Sequence, residues 1–158
     1  MRKLFFFGLA AFAGMACLPG HISTKQTQLV VAPQYEGDPR LEALVRFFQK
    51  GACPAWRYAR TFLEAADRYA LDWRLLPSIS FIESTGGKAA PNNNLFGWDS
   101  GRAQFRSARA GIHEVGYRLA YSALYRDKDT DGILATYNPN AEYAAKVKSV
   151  MRSIAPRE

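Results

Sequence analysis

Apolar residues recur at helical spacing in five segments of this chain, and no stretch of comparable length alternates with the period of two that a strand requires. That pattern restricts the fold to an all-α class, with room for at most a small β-hairpin near Phe96–Phe105. Asp38-Pro39 is a helix start, a capping carboxylate followed by proline in the first position. Leu41, Leu44, Val45 and Phe48 follow at helical spacing until Gly51 and Pro54 stop the run. Tyr58, Phe62, Ala66, Tyr69 and Ala70 make a second stripe. A third helix is expected from Asp72, with Leu75, Leu76, Ile79, Phe81 and Ile82, ending at Gly86-Gly87. Its Pro77 lies in the first turn, where the missing N–H costs least. Pro91 to Asp99 is polar, rich in Asn and non-helical. Ser107 to Tyr125 is helical again, with Ile112, Val115, Leu119 and Ala123 on one face. The last helix runs from Asn140 to Ile154, with Tyr143, Ala144, Val147, Val150 and Met151.

The N-terminus obeys a different logic. Met1-Arg2-Lys3 is a positive start, and Leu4 to Ala16 is almost wholly apolar, shorter than the ~20 residues of a spanning helix. Small residues at Ala11, Ala13, Gly14 and Ala16 suit a cleavage site, so residues 1–16 read as a signal peptide. The protein is then expected to be exported: periplasmic, in the cell envelope or extracellular. Residues 17–37, with Pro19 and Pro33 and no helical period, read as a tether, and 38–158 as the domain. Gly14-Met15-Ala16-Cys17 resembles a bacterial lipoprotein box without its usual Leu, which allows membrane attachment through a lipidated Cys17. The alternative keeps Cys17 in the mature chain, where it could pair with Cys53.

Composition narrows the chemistry. The chain has 158 residues and a formal charge of +7, which falls to +5 once Arg2 and Lys3 are removed. Two Cys exclude a disulfide scaffold and a four-cysteine zinc knot, and two His are too few for most catalytic metal sites. No metal or cofactor is expected. Ser78, Ser80 and Ser84 lack a nucleophile elbow. His113, within a helix, and His21, in the tether, have no partner at ligand spacing and read as structural or solvated.

One residue breaks the apolar pattern. Glu83 ends the most hydrophobic helix, on the side of Leu76, Ile79 and Ser80. A carboxyl beside a buried face loses solvation of its charged form, so a raised pKa and a general-acid role are expected. The bland alternative is a helix-terminal Glu that swings into water. The residues downstream are Glu83-Ser84-Thr85-Gly86-Gly87-Lys88, then Asn92-Asn93-Asn94-Leu95-Phe96-Gly97-Trp98, then Thr136-Tyr137-Asn138-Pro139-Asn140-Ala141-Glu142-Tyr143-Ala144-Ala145-Lys146-Val147. A helix ending in Glu-Ser-x-Gly, followed by Asn-Asn-Leu-Phe-Gly and a Tyr-Asn-Pro…Tyr-Ala-x-Lys-Val terminus, resembles the bacterial glucosaminidase domain. That is the mannosyl-glycoprotein endo-β-N-acetylglucosaminidase-like family of the lysozyme-like superfamily. The Glu-Ser and Tyr-Asn elements are also similar to lytic transglycosylases. The resemblance spans about residues 55–152.

The resemblance implies a lysozyme-like helical domain that cleaves β-1,4 bonds of peptidoglycan glycan strands. Glu83 falls on the family's catalytic acid and Tyr137 on the tyrosine that faces the scissile sugar. Ser84, Asn93, Asn94, Phe96, Gly97, Trp98, Asp99 and Asn138 fall on or beside the substrate cleft. Amides of Asn can hydrogen-bond N-acetyl groups, and Trp98 can stack on a sugar face. A hydrolase usually needs a second carboxylate. Family members often carry it in a β-lobe that is short here, leaving Asp99 closest to the motif, with Glu114 on a helical face that reads as solvated. Three outcomes stay open: Asp99 serves, the substrate's N-acetyl group serves, or one acid/base suffices as in a lytic transglycosylase. A non-catalytic peptidoglycan-binding module is the rival from another class. A monomer is expected, and no nucleic-acid partner.

The remaining features carry weaker expectations. Asp127-Lys128-Asp129-Thr130-Asp131-Gly132 copies the first half of a calcium loop, but its twelfth position is Asn138, so an ordinary turn between helices competes with calcium binding. Lys146, Lys148 and Arg152 read as the solvated side of the last helix. Arg102, Arg106 and Arg109 either meet carboxylates of the polymer or serve solubility. Trp56 and Trp73 are expected at core edges, and Trp98 either in the cleft or in packing.

Overall fold

The computed structural model describes residues 35–156, and every helix and turn in them leaves no strand among the described residues. Tyr35 is 1% exposed, and its hydroxyl donates to Asp67 at 2.9 Å. The packed part of the chain therefore begins before Asp38, inside the stretch read as a tether. The signal segment, the rest of the tether and Cys17 lie outside the described residues.

Helix α1 (Pro39–Lys50) starts as its sequence requires: the Asp38 carboxylate accepts from the Arg40 N–H at 2.8 Å. A 3-10 turn over Pro54–Tyr58 leads into α2 (Ala59–Tyr69), which ends on Ala70 in the left-handed region. The second stripe thus begins as a 3-10 turn, not as α-helix from Tyr58. The Arg40 guanidinium bonds Asp38 and Asp67 at 2.8 Å each, fastening the start of α1 to the end of α2. Hydrogen bonds from Arg40 hold both carboxyls below their ordinary value of 3.8, against the opposing effect of burial. A carboxyl with a depressed folded-state pKa lends stability above its unfolded value, and that contribution is lost as pH falls through the lowered value. Thermal melts should therefore show a stability loss below about pH 4 that Asp67→Asn makes shallower. At neutral pH the same variant should cost only about 1 kcal/mol, because this side chain is 35% exposed.

Helix α3 (Leu75–Ser84) is the central element, with every residue from Leu75 to Ser80 buried. It begins after Asp72, whose carboxylate accepts from the Arg74 N–H at 2.9 Å, and it ends on Thr85 at φ +53. Pro77 sits in the first turn as expected. Helix α4 (Ala108–Tyr121) is capped by Ser107, whose hydroxyl accepts from Ala110 N–H, and α6 (Ala141–Ile154) by Asn140. α6 packs on α3, and α4 on α2. Phe48 stacks on Phe62 at 5.8 Å, and Phe62 meets Phe96 edge-on at 6.5 Å, so the buried rings bridge α1, α2 and the loop after α3.

Four expectations change. The hairpin near Phe96–Phe105 is absent, because Gly97, Asp99, Ser100 and Gly101 all have positive φ and fold the segment into successive turns. The calcium-like run instead builds α5 (Thr130–Tyr137), a helix the periodicity did not reveal. Asp129 caps it, accepting from Gly132 N–H at 2.8 Å, and Asp131 pairs with Lys148 at 2.9 Å. Among the described residues no group of acids, His and Cys is placed to hold a metal ion. α5 escaped detection because it is eight residues long, contains Gly132, and buries only the adjacent pair Ile133 and Leu134. The helix read as Ser107–Tyr125 stops at Tyr121, where Ser122 becomes extended and turns its hydroxyl onto the Arg118 carbonyl at 2.7 Å. Trp56 is 40% exposed with Arg57 over its ring, whereas Trp73 packs against the core as expected. Cys53 is a buried free thiol that donates weakly to the Gly51 carbonyl, and desolvation raises its pKa.

Candidate functional site

The sequence Asn-Asn-Leu-Phe-Gly-Trp leaves α3 and must return the chain across the helix end. Asn94 makes that turn possible. It is 3% exposed, its side-chain amide donates to the Trp98 carbonyl, and its Oδ1 accepts from Trp98 N–H, both at 3.0 Å. Ser84 does the same work from α3: its buried hydroxyl donates to the Leu95 carbonyl at 2.8 Å and accepts from Gly87 N–H at 3.0 Å. These bonds pin the loop over the last turn of α3. Asn94→Ala leaves two backbone groups of Trp98 without their partners and should cost about 2 kcal/mol in a denaturant melt.

The result is a cleft of about 740 Å³ lined by Glu83, Gly97, Trp98, Asp99, Gln104, Phe105, Arg118, Tyr125, Tyr137 and Asn138, together with Ser100 and Ala103. Glu83 reaches it from the end of α3, Arg118 from α4, and Tyr137 from the end of α5. The Glu83 side chain lies directly on the backbone of Gly97. A Cβ added to Gly97 would stand 2.7 Å from Glu83 Oε2, and the residue has φ +58, so the backbone favours glycine and the carboxylate keeps this seat only above a glycine.

Planar groups form one wall. The Arg118 guanidinium lies 5.6 Å from the Trp98 ring, Trp98 meets Tyr137 edge-on at 5.7 Å, and Tyr137 stacks on Tyr143 at 5.9 Å and 7°. Tyr125 touches Trp98 at 6.1 Å. The Tyr137 hydroxyl donates to the Phe96 carbonyl in a short hydrogen bond. Burial, then the Glu83 charge, raises the pKa of Tyr137, and burial with the neighbouring Glu83 carboxylate raises that of Tyr143. Both phenols stay protonated at any working pH. The Tyr143 hydroxyl has Glu83 as its acidic neighbour, but makes no well-formed hydrogen bond among the described residues.

Several expectations need correction against this geometry. Glu83 is exposed rather than tucked against the apolar face, because the last turn of α3 opens onto the cleft that Glu83 lines. Ser84, Asn94 and Phe96 do not meet the cleft: the first two spend their polar atoms on the loop, and Phe96 is wholly buried against Phe62. Asn93 is also outside it, donating to the Phe105 carbonyl at 2.9 Å. Gly97, Trp98, Asp99, Tyr137 and Asn138 do line the cleft with Glu83, and Trp98 both packs and faces it. Arg102 is held by Asp99, Arg109 donates to Thr61 Oγ1, and none of Arg102, Arg106 and Arg109 lines the cleft. His113 packs edge-on to Tyr69, and burial lowers its pKa. The sequence reading missed Arg118, which pairs with Glu114 one turn earlier on α4, and Tyr143, whose place in Tyr-Ala-x-Lys-Val was the available signal.

Chemically, this is an open groove with one acid, Glu83, against a glycine and an aromatic wall. Its other lining carboxylate, Asp99, is tied to Arg102 at 2.7 Å. Such a groove can take a polymer with flat faces and deliver a proton at one point along it. Compared with protein-family models, curated proteins and solved structures, the chain matches none.

Proposed function

We propose that this chain is a glycosidase of the peptidoglycan glycan strand, of the endo-β-N-acetylglucosaminidase type, with Glu83 as general acid. The observation that carries the reading is the seating of Glu83 on Gly97 in a groove walled by Trp98, Tyr137 and Tyr125. The order of the three motifs supports it. Glu83 protonates the glycosidic oxygen as the C1–O bond breaks, leaving an oxocarbenium-like sugar. Water then attacks C1, and its proton returns to the Glu83 carboxylate. The phenols of Tyr137 and Tyr143 keep their protons throughout, that of Tyr137 on the Phe96 carbonyl and that of Tyr143 beside the Glu83 carboxyl.

One observation favours a second reading, lytic transglycosylation. Asp99 is engaged by Arg102, so Glu83 is the one carboxylate lining the groove without an ion-pair partner among the described residues. A transglycosylase needs a single acid/base, since the muramyl O6 hydroxyl attacks C1 in place of water and gives its proton to the same carboxylate.

Mass spectrometry of the products released from purified peptidoglycan separates the outcomes. Reducing N-acetylglucosamine ends establish the hydrolase, and anhydro-muramyl ends the transglycosylase. Binding to sacculi with no product would sink both and leave a binding module.

A further inference from the structure

Arg118 is the one basic residue lining the groove among the described residues, and its surroundings set it apart from the surface arginines. Its Nε donates to Glu114 Oε1 at 2.8 Å, from the preceding turn of α4. That bond fixes one edge of the guanidinium. The guanidinium carbon lies over the Trp98 indole, 5.6 Å from the ring centre, which holds the group against one face of the ring. Neither Nη1 nor Nη2 has a hydrogen bond among the described residues, so the terminal fork is open. A guanidinium held on one edge, stacked on one face and free on the other edge is prepared for bidentate contact with a carboxylate. Lysine could not reproduce it, having no plane to stack and no fork. The same Trp98 indole also lines the groove, so a sugar laid against it brings its substituents to Arg118.

We propose that Arg118 is a specificity-determining residue that reads a carboxylate on the bound glycan, so that the groove selects muramic-acid-containing strands over neutral N-acetylglucosamine polymers. This deepens the glycosidase reading and rests on it for the identity of the polymer. The carboxylate has two chemical sources. In a strand stripped of peptide it is the lactyl group of muramic acid. In a substituted strand the lactyl carbonyl is an amide, and the carboxylate belongs to the stem peptide. The selection does not need Glu83, because the contact uses only the terminal nitrogens of Arg118.

The test uses the full chain as wild type, Arg118→Gln, Arg118→Lys and Glu83→Gln, with three probes: peptide-bearing peptidoglycan, peptide-stripped glycan strands and neutral chitooligosaccharides. Binding and turnover are measured separately. Arg118→Gln should weaken binding to an acidic strand about tenfold or more, raising KM with little change in kcat. Arg118→Lys should recover only part of that loss. Chitooligosaccharide binding should stay within about twofold of wild type in both variants. Glu83→Gln should keep the acidic preference. A loss confined to stripped strands assigns the lactyl carboxylate, and one confined to peptide-bearing strands assigns the stem peptide. Equal losses on acidic and neutral probes would overturn the proposal, since Arg118 would then act only by supporting Trp98. Unchanged binding to both acidic probes would overturn it as well. Arg118-dependent binding without turnover in wild type would sink the glycosidase reading and leave the selectivity standing. A chain that binds none of the three probes would sink both.

Discussion

Replacing Glu83 by Gln should lower product release from peptidoglycan by about a thousandfold while leaving the melting curve in place. The amide has nearly the shape of the acid and can still accept from a neighbouring phenol, but it has no acidic proton to give. General acids contribute roughly 10²–10⁴ in rate, which sets the size of the loss. Stability should move by no more than about 0.5 kcal/mol, because the side chain is exposed and makes no ion pair among the described residues. The pair of measurements matters: lost activity with an unchanged melt isolates chemistry from folding. Full activity in this variant would remove Glu83 from the mechanism, and with it the one groove carboxyl among the described residues not already held by an arginine.

Gly97→Ala should produce a comparable defect without touching the acid itself. The new Cβ would lie 2.7 Å from Glu83 Oε2 and 3.5 Å from its Cδ. The carboxylate is the free end of a flexible side chain, so it yields by rotating away and the backbone holds. The cost in stability then comes chiefly from placing alanine at φ +58, about 1–2 kcal/mol. The cost in rate is larger, since displacing a reacting group by about 1 Å loses on the order of a hundredfold. A kcat/KM assay beside a thermal melt would show this asymmetry. Near-normal turnover would mean that the position of Glu83 over Gly97 is not the one in which it reacts.

The two variants also show where sequence reading succeeds and where it stops. Glu83 stood out because a charged residue closed an otherwise apolar helix, and Gly97 because it belonged to a motif. The sequence did not disclose that one lies on the other. Asn94 and Ser84 illustrate the opposite error. Both are polar, both sit in the motif, and both were expected to meet substrate. They prove to be internal fasteners, because a loop that recrosses a helix end has backbone groups that only nearby side chains can satisfy. Arg118 was hidden for a related reason. On α4 alone it is an i, i+4 partner of Glu114, a pairing common on solvated helices, and only the return of the Trp98 loop makes it a wall of the groove.

The helices were legible because amphipathic period and capping are local properties. Asp38 announces the start of α1 to the residue, and the helices expected from Ser107 and Asn140 begin one residue later, with those two side chains as caps. α5 was not legible, since eight residues with a central glycine carry too little periodic signal, and its stability comes from packing beside α6. What the sequence by itself determined is the helical class, the place of five of the helices and the candidate acid. The tertiary structure alone decided which polar residues face the groove and which hold the loop. It also decided that the Tyr35 segment joins the core through Asp67, and that the run of aspartates caps a helix. The physical reason is one of range. A cap or an apolar stripe is fixed by neighbours within a turn, whereas a groove is made where segments far apart in the chain are brought together by the burial of other residues.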